Sequence, residues 1–368
     1  RGFASAGPNM LGDFFLGASF NAPNLQYANT VTTTGGGTIT VPSGISYDNH
    51  GHALATPLAS HIFKQSDNES PWPRTRIILT TNYFDRIDGS TGVTRQIFGF
   101  EKVSADQRFS VGMRLPYYIV APGVNNSIGT PVNTFGGNPF GQGGNTQSSI
   151  GDLITTFKYA LIYDPVNANV LSIGTAVTAN SGPSTIGNVP PLFTVDGVQH
   201  TASIQPYMAF YKSLGRPRQG LFMQGFLASD TPFNVRDTTY IYSDLGLGYI
   251  IRRPTNRWIT AVVPMVEVHG DFATNKSQRA VGSNAITMAN MLQVTGGAFN
   301  SMAGTVSYQD QVNITSGLTF VLNQRSTVSV AAVAPTTNPK SFNYELQLLW
   351  NTYFGPGLPP MFRSTGLR

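Results

Sequence analysis

Residues 344–354 read Tyr344-Glu345-Leu346-Gln347-Leu348-Leu349-Trp350-Asn351-Thr352-Tyr353-Phe354. On an extended strand, side chains point to opposite faces with a period of two. Tyr344, Leu346, Leu348, Trp350 and Phe354 therefore share one face, and Asn343, Glu345, Gln347 and Asn351 share the other. The strand is apolar on one side and hydrophilic on the other. Leu349 and Tyr353 break the pattern, as Ile97 does earlier in the chain. All three fall on the hydrophilic face, where they could pack against something enclosed by the strands.

The same alternation recurs upstream. Phe109, Val111, Met113 and Leu115 oppose Ser110, Gly112 and Arg114. Leu153, Thr155, Phe157, Tyr159, Leu161 and Tyr163 oppose Asp152, Thr156, Lys158 and Ala160. Leu245, Leu247, Tyr249 and Ile251 oppose Asp244, Gly246 and Gly248, small residues that permit twist. Ile314, Leu318, Phe320 and Leu322 oppose Asn313, Thr315, Gly317 and Thr319. Read this way, Arg76 to Phe354 holds about twelve runs. Many reach roughly ten to thirteen residues, against about five or six in a globular strand and about nine to eleven in a tilted membrane strand. Pro206 and Pro264 fall inside two runs, where a missing ladder donor predicts an edge or a bulge.

The links between runs sort by length. Those at Ser104–Gln107, Asp164–Asn167, Leu214–Arg218, Arg253–Asn256 and Asn323–Gln324 are tight, and Val120–Ser149, Asn180–His200 and Gly270–Gln311 are long. Short turns at one end and long loops at the other are the signature of a closed, antiparallel up-and-down barrel crossing a bacterial outer membrane. Aromatics gather at run ends (Tyr83 and Phe84, Tyr117 and Tyr118, Tyr159 and Tyr163, Trp350 and Phe354), where interfacial girdles belong. The competing fold is a soluble β-sandwich of coat or lectin-like type, with the aromatics packed in a core.

Composition narrows the choice. Charged residues are 11% of the chain, against about 25% in a typical soluble domain. No run of eighteen apolar residues occurs, which is the length a membrane-crossing helix requires. There is no cysteine, hence no disulfide framework and no thiolate metal site. Net charge is +5 without a polybasic run, so nucleic acid is not an expected partner. The chain starts at Arg1 without a leader-like stretch, which would suit a processed product.

Three regions result. Residues 75–354 form the barrel. Residues 1–74 are polar and turn-rich, and are expected to fold into the lumen, to cap its periplasmic mouth, or to trail as a periplasmic arm. Residues 355–368 form an extended tail outside the wall, with Pro356, Pro359 and Pro360.

Several short patterns occur in a fixed order: Gly12-Asp13-Phe14-Phe15, Asn68-Glu69-Ser70-Pro71, Asn82-Tyr83-Phe84 and Gly99-Phe100-Glu101-Lys102, then Gly151-Asp152-Leu153 with Lys158-Tyr159-Ala160, and Asp244-Leu245-Gly246-Leu247-Gly248-Tyr249. Together they resemble a family of planctomycete outer-membrane β-barrel proteins, porin- or transporter-like. The Gly-Asp-Leu and Lys-Tyr elements are also similar to barrels that take up hydrophobic compounds. The resemblance implies an outer-membrane barrel in a Gram-negative-type cell envelope and names no substrate. Outer-membrane barrels commonly end on an aromatic; here Phe354 is followed by the tail, which could serve a contact with a partner.

The hydrophilic face carries Arg76, Arg95, Glu101, Arg114, Asp152, Lys158, Asp244, Glu267 and Glu345. These are expected to line the lumen, either as a charged eyelet or as ion pairs that brace the wall. Phe109, Phe157, Tyr159, Leu247, Tyr249, Phe320, Leu346, Leu348, Trp350 and Phe354 are expected to face lipid. The His50-Gly51-His52 pair has no third ligand at a useful spacing, so no metal or other cofactor is expected. Gly136-Gly137 and Gly141–Gly144 lack the Lys-Ser/Thr of a phosphate loop. A barrel lipase would need an outward Ser and His, and no serine motif supplies them, so the chain is not expected to be an enzyme. The leading expectation is passive diffusion of small solutes through a polar lumen, with membrane lipids and further copies of the chain, as in a trimer, for partners. The rivals are a plugged barrel that builds a surface assembly, and uptake of hydrophobic compounds through a gap in the wall.

Overall fold

A computed structural model describes residues 7–13, 19–21, 31–32, 38–39, 63–87, 91–121, 147–182, 194–195, 202–215, 219–233, 239–252, 258–274, 277–281, 303–307, 310–323, 325–337, 340 and 342–354. Twelve long strands alternate in direction. They are β1 (Arg76–Ile87), β2 (Thr91–Val103), β3 (Phe109–Ala121), β4 (Ile154–Asp164), β5 (Asn169–Thr178), β6 (Ser203–Ser213), β7 (Gly220–Pro232), β8 (Tyr240–Arg252), β9 (Ile259–Ala273), β10 (Gln311–Leu322), β11 (Ser326–Pro335) and β12 (Tyr344–Tyr353). Each pairs antiparallel with its sequence neighbour, and β12 pairs with β1 from Tyr344↔Asp85 to Tyr353↔Arg76. The sheet is thus a closed barrel. A short extension, Gln147–Ile150, continues β4 against β3. Away from the wall, Ser19–Asn21, Thr194–Val195, Ser277–Val281 and Ala303–Ser307 form a small antiparallel sheet.

Five links lie at the end where β1 begins and β12 finishes: 104–108, 165–168, 214–219, 253–258 and 323–325. Local chemistry closes them. Gln107, Ala168 and Asn323 adopt positive φ in three of these turns. In a fourth, Gly220 does so at the start of β7. Asp164 Oδ1 accepts the Val166 and Asn167 amides at 3.0 and 3.1 Å, an Asx-type turn. In the first turn the Ser104 hydroxyl and the Arg108 amide hold the Asp106 carboxyl below its ordinary range. Links at the other end are unequal. Three are long (122–146, 179–202 and 274–310), but 88–90, 233–239 and 336–343 are short, so the length rule holds strictly only for the turn end.

Alternation governs burial. Along β8 the pattern is buried at every other residue from Tyr240 to Ile250, with Ile241, Leu245, Leu247, Tyr249 and Ile251 exposed between them. Phe109, Phe157, Tyr159, Leu247, Tyr249, Leu346, Leu348, Trp350 and Phe354 are all exposed on the outer surface, and Phe320 is half-buried there. An apolar outer surface running around a closed barrel is the reverse of a soluble fold. Of the aromatics at strand ends, Tyr83 faces out but its neighbour Phe84 is sealed inside against Phe342, and Tyr118 is also buried. Adjacent residues on a strand cannot both join a girdle.

Two local expectations are corrected. Pro206 and Pro264 stay in register opposite Thr175 and Leu318, and the missing donor shows instead as a two-residue gap in the ladder to the other neighbour, at Gln205–Pro206 against β7 and at Val263–Pro264 against β8. The register shifts lie elsewhere, at Phe84/Ile87, Ala160/Ile162 and Ile259/Ala261. The inner face is also not hydrophilic throughout. Tyr211, Phe222, Ile250, Val263, Met265, Val321, Leu349 and Tyr353 form one buried apolar cluster. Gly248 makes room for it, because a Cβ there would lie 2.3 Å from Phe222 Cζ, and Phe222 stacks on Tyr211 with centroids 5.1 Å apart. Gly248→Ala should therefore destabilise the folded barrel by about 1–3 kcal/mol through overpacking. Urea unfolding of the purified variant measures this, and an unchanged midpoint contradicts the assigned inward register of β8.

Candidate functional site in the barrel lumen

Two stretches of the N-terminal region, residues 7–13 and 63–74, are buried at every position. They bond to inward side chains or their neighbours on β1–β6, β8–β10 and β12, which places them within the ring. The first ascends from the turn end. Gly7 O accepts Arg74 Nη2 beside Tyr353, and Asp13 reaches Asn313 near the loop end (2.7 Å). The second descends from Lys64 to Arg74 and runs directly into β1. Met10 N donates to Glu69 O at 2.7 Å and ties the two together.

A single glycine shapes the ascending stretch. Gly12 has φ +78°, and this brings the Leu11 and Gly12 amides onto one carboxylate. Leu11 N lies 2.9 and 3.0 Å from the two Glu267 oxygens, and Gly12 N lies 2.9 Å from Oε2. Successive backbone N–H groups in such a turn form an anion-binding nest. Gly12 O in turn accepts Thr315 Oγ1 and Gln347 Nε2, each at 3.1 Å.

Ion pairs fix the descending stretch. Glu69 is shared by Arg76 (2.6 Å), Lys158 (2.7 Å) and Arg114. Glu101 lies between Arg76 (2.7 Å) and Lys158 (3.0 Å) and also accepts Ser110 Oγ. Asp67 pairs with Arg95, and Arg114 Nη1 donates to Asp67 O at 2.6 Å. Nearer the loop end, Lys64 Nζ sits among Asp13 (2.6 Å), Asp271 (2.7 Å) and Asp244 (2.8 Å). His269 bridges Asp244 (2.9 Å) and Glu267 (3.4 Å). A buried charge is costly unless paired, so these contacts set position more than they add net stability.

At the turn end the filling becomes apolar. Trp72 packs edge-on against Tyr163 and Tyr211, with centroids 5.4 and 6.3 Å away. Leu11 and Trp72 belong to the same cluster as Leu349 and Tyr353, and Ile97 is also buried on the inner face. The apolar residues that broke the alternation along β12 thus line the floor of the filled lumen.

The residues expected to line the lumen, Arg76, Arg95, Glu101, Arg114, Asp152, Lys158, Asp244, Glu267 and Glu345, are all buried. Seven of them, Arg76, Arg95, Arg114, Lys158, Asp244, Glu267 and Glu101, bond directly to residues 7–13 or 63–74. Glu101 does so by accepting the Arg74 amide (3.2 Å). Asp152 behaves differently: it lies in the break between the two parts of β4, and its Oδ1 accepts the Ser181 and Gly182 amides. Glu345 accepts Asn82 Nδ2 and Gln347 Nε2. Lys64, Asp67, His269 and Asp271 were not among the expected site residues. For the first two, the available signal was charge of the sign opposite to the wall, within a segment that has no periodicity of its own.

Among the described residues one group has metal-ligand geometry: Asp13, Asp244 and His269 bring ligand atoms within 4.8 Å of one another. The Lys64 ammonium is seated against two of them, 2.6 Å from Asp13 and 2.8 Å from Asp244. His269 points into the lumen and is fully buried, so it is not a histidine at the lipid boundary. His50, His52, His61 and His200, the glycine-rich loop segments and the tail from Gly355 lie outside the described residues.

Removing the Glu69 carboxylate (Glu69→Ala) should cost about 3–5 kcal/mol, because Arg76, Arg114 and Lys158 would remain buried and short of an anion. Thermal or urea unfolding reads this cost. Gly12→Ala should strip hydrogen-exchange protection from the Leu11 and Gly12 amides, since its Cβ would fall 2.6 Å from Asp67 Cα and φ would be strained. Retained protection would show that the nest on Glu267 is not formed.

No protein-family model and no curated protein matches the chain. Solved structures with likeness to it include an outer membrane channel from Pseudomonas putida F1, with 12% identity over 77% of this chain and 96% of the other and a TM-score of 0.48. The NanC porin (8% identity, 76% and 99% covered, TM-score 0.42) and the KdgM porin (8%, 76% and 99%, TM-score 0.39) follow. The likenesses are distant, and the strand register itself is what identifies this chain as a closed antiparallel barrel of twelve strands.

Proposed function

We propose that this chain is an outer-membrane barrel that its own N-terminal segment closes at rest, and that small polar solutes pass when Lys64 and Glu69 let go of the wall. The supporting observation is the chemistry of the contact between filling and wall. A permanent filling is held best by apolar packing, and replacing buried ion pairs with apolar groups is often neutral or stabilising. Here the segment meets the wall through Glu69, Asp67 and Lys64, each on charged partners. A wall of this kind can take up water once the filling shifts; an apolar wall would dewet and stay shut. Membrane location follows from the apolar outer surface, and the outer membrane from the sequence resemblance to such barrels. No enzymatic role is proposed.

The rival reading is a permanently sealed barrel with a structural or surface-assembly role, and the apolar floor around Trp72 favours it. Uptake of hydrophobic compounds draws less support, because every strand pairs with both neighbours around the ring and the lapses in the ladder at Gln205–Pro206 and Val263–Pro264 are only two residues wide.

In planar bilayers the unmodified chain should be nearly ion-tight, and Lys64→Ala with Glu69→Ala should raise the conductance. A large steady conductance from the unmodified chain would make it an open porin. An ion-tight double variant would favour the sealed structural barrel. A lipid-facing Leu348→Arg should cost about 2–4 kcal/mol in vesicle-reconstituted unfolding if Leu348 lies at the bilayer midplane. No loss there would argue against hydrocarbon at β12.

A further inference from the structure

The inward charges of the wall are segregated by side. Arg76, Arg95, Arg114 and Lys158 project from β1, β2, β3 and β4. Asp244 projects from β8, and Glu267, His269 and Asp271 from β9. In a ring of twelve strands the two groups stand about six strands apart, facing each other across the lumen. Three carboxylates are exceptions on or beside the basic side: Glu101 is held between Arg76 and Lys158, Asp152 is taken up by the Ser181 and Gly182 amides, and Glu345, on β12 next to β1, accepts Asn82 and Gln347. Such an arrangement sets up a field across the lumen rather than along it.

The descending segment matches that field. Its carboxylates, Asp67 and Glu69, turn to the basic side, and its ammonium, Lys64, turns to the acidic side. A second observation concerns the acidic side alone. Asp244 Oδ2 and Asp271 Oδ2 are sealed from solvent without a hydrogen-bond partner among the described residues, although each residue already faces Lys64. The seat therefore has acceptor capacity beyond what one lysine uses.

We infer that the lumen is a binding site for dipolar solutes that carry an ammonium and a carboxylate. The ammonium takes the place of Lys64 between Asp244 and Asp271, and the carboxylate takes the place of Glu69 on Arg114 and Lys158. Lys64 and Glu69 are then an internal copy of the solute, and a solute that binds both walls competes with them for the same partners. This assignment rests on the gated-passage reading, and it adds the class of solute.

The test is entry into vesicles that contain the full chain with Lys64→Ala and Glu69→Ala. Isosmotic swelling is read with aminohexanoate, hexanoate, hexylammonium and arabinose, and folding is checked by resistance to unfolding in cold detergent. Relative to arabinose, aminohexanoate should enter about threefold or more faster than either singly charged analogue. Adding Asp244→Asn and Asp271→Asn to that background should abolish the preference. Arabinose entry without any preference for aminohexanoate overturns the inference and leaves gated passage standing. A preference that survives the two wall substitutions also overturns it. If arabinose itself does not enter, gated passage fails and this inference fails with it.

Discussion

Ten consecutive residue pairs join the last strand to the first, from Tyr344↔Asp85 to Tyr353↔Arg76. Everything inside the molecule follows from that closure. An open sheet would leave two rows of unpaired backbone groups, which hydrocarbon does not tolerate. Closing it creates an interior, and that interior is narrow enough for two short stretches of chain to fill. Once filled, it excludes water, so every charge that points inward must find a partner or be neutralised. Glu69, Lys64 and Asp67 supply partners from the centre, and Arg76, Arg95, Arg114, Lys158, Asp244 and Asp271 supply them from the wall.

The barrel was legible in the sequence because alternation is a local property. The run ending at Phe354 declares its two faces without reference to any other segment, and β8 does the same. Asp244, Glu267, Arg114 and Lys158 were legible as inward residues for that reason. What those residues touch was not. Residues 7–13 and 63–74 have no period, because they are neither strand nor helix; their conformation comes from the wall around them. Gly12 marks the nest on Glu267 only once Glu267 is known to face it. The ordered motifs Gly12-Asp13, Asn68-Glu69, Gly99-Phe100-Glu101-Lys102, Lys158-Tyr159 and Asp244-Leu245 prove to supply both sides of one interface.

The corrected prolines illustrate a limit of local rules. Pro206 and Pro264 lack a ladder donor, yet the strands run through them in register. The shifts in register lie instead at residues with no compositional mark. The inner apolar cluster was equally hidden. In β9, inward Val263 and Met265 sit beside other apolar residues, so that part of the strand reads as apolar on both sides. Its meaning comes from Trp72 and Leu11, which are distant in sequence and are brought against it by the N-terminal stretches.

The path of the N-terminal segment constrains how it could ever move. Gly7 and Arg74 meet at the turn end, and Asp13 and Lys64 meet near the loop end. The two stretches therefore form the legs of a staple, with Asp13 and Lys64 at the end where the chain leaves one leg and enters the other. Between the legs in sequence, Ser19–Asn21 is paired with Ala303–Ser307 of the link between β9 and β10. Ejecting the staple whole toward the turn end would mean unpairing Ser19–Asn21 and drawing it through the barrel. Any motion that frees the lumen is therefore a sideways adjustment of the legs in place, and assembly must either thread the staple or close the wall around it.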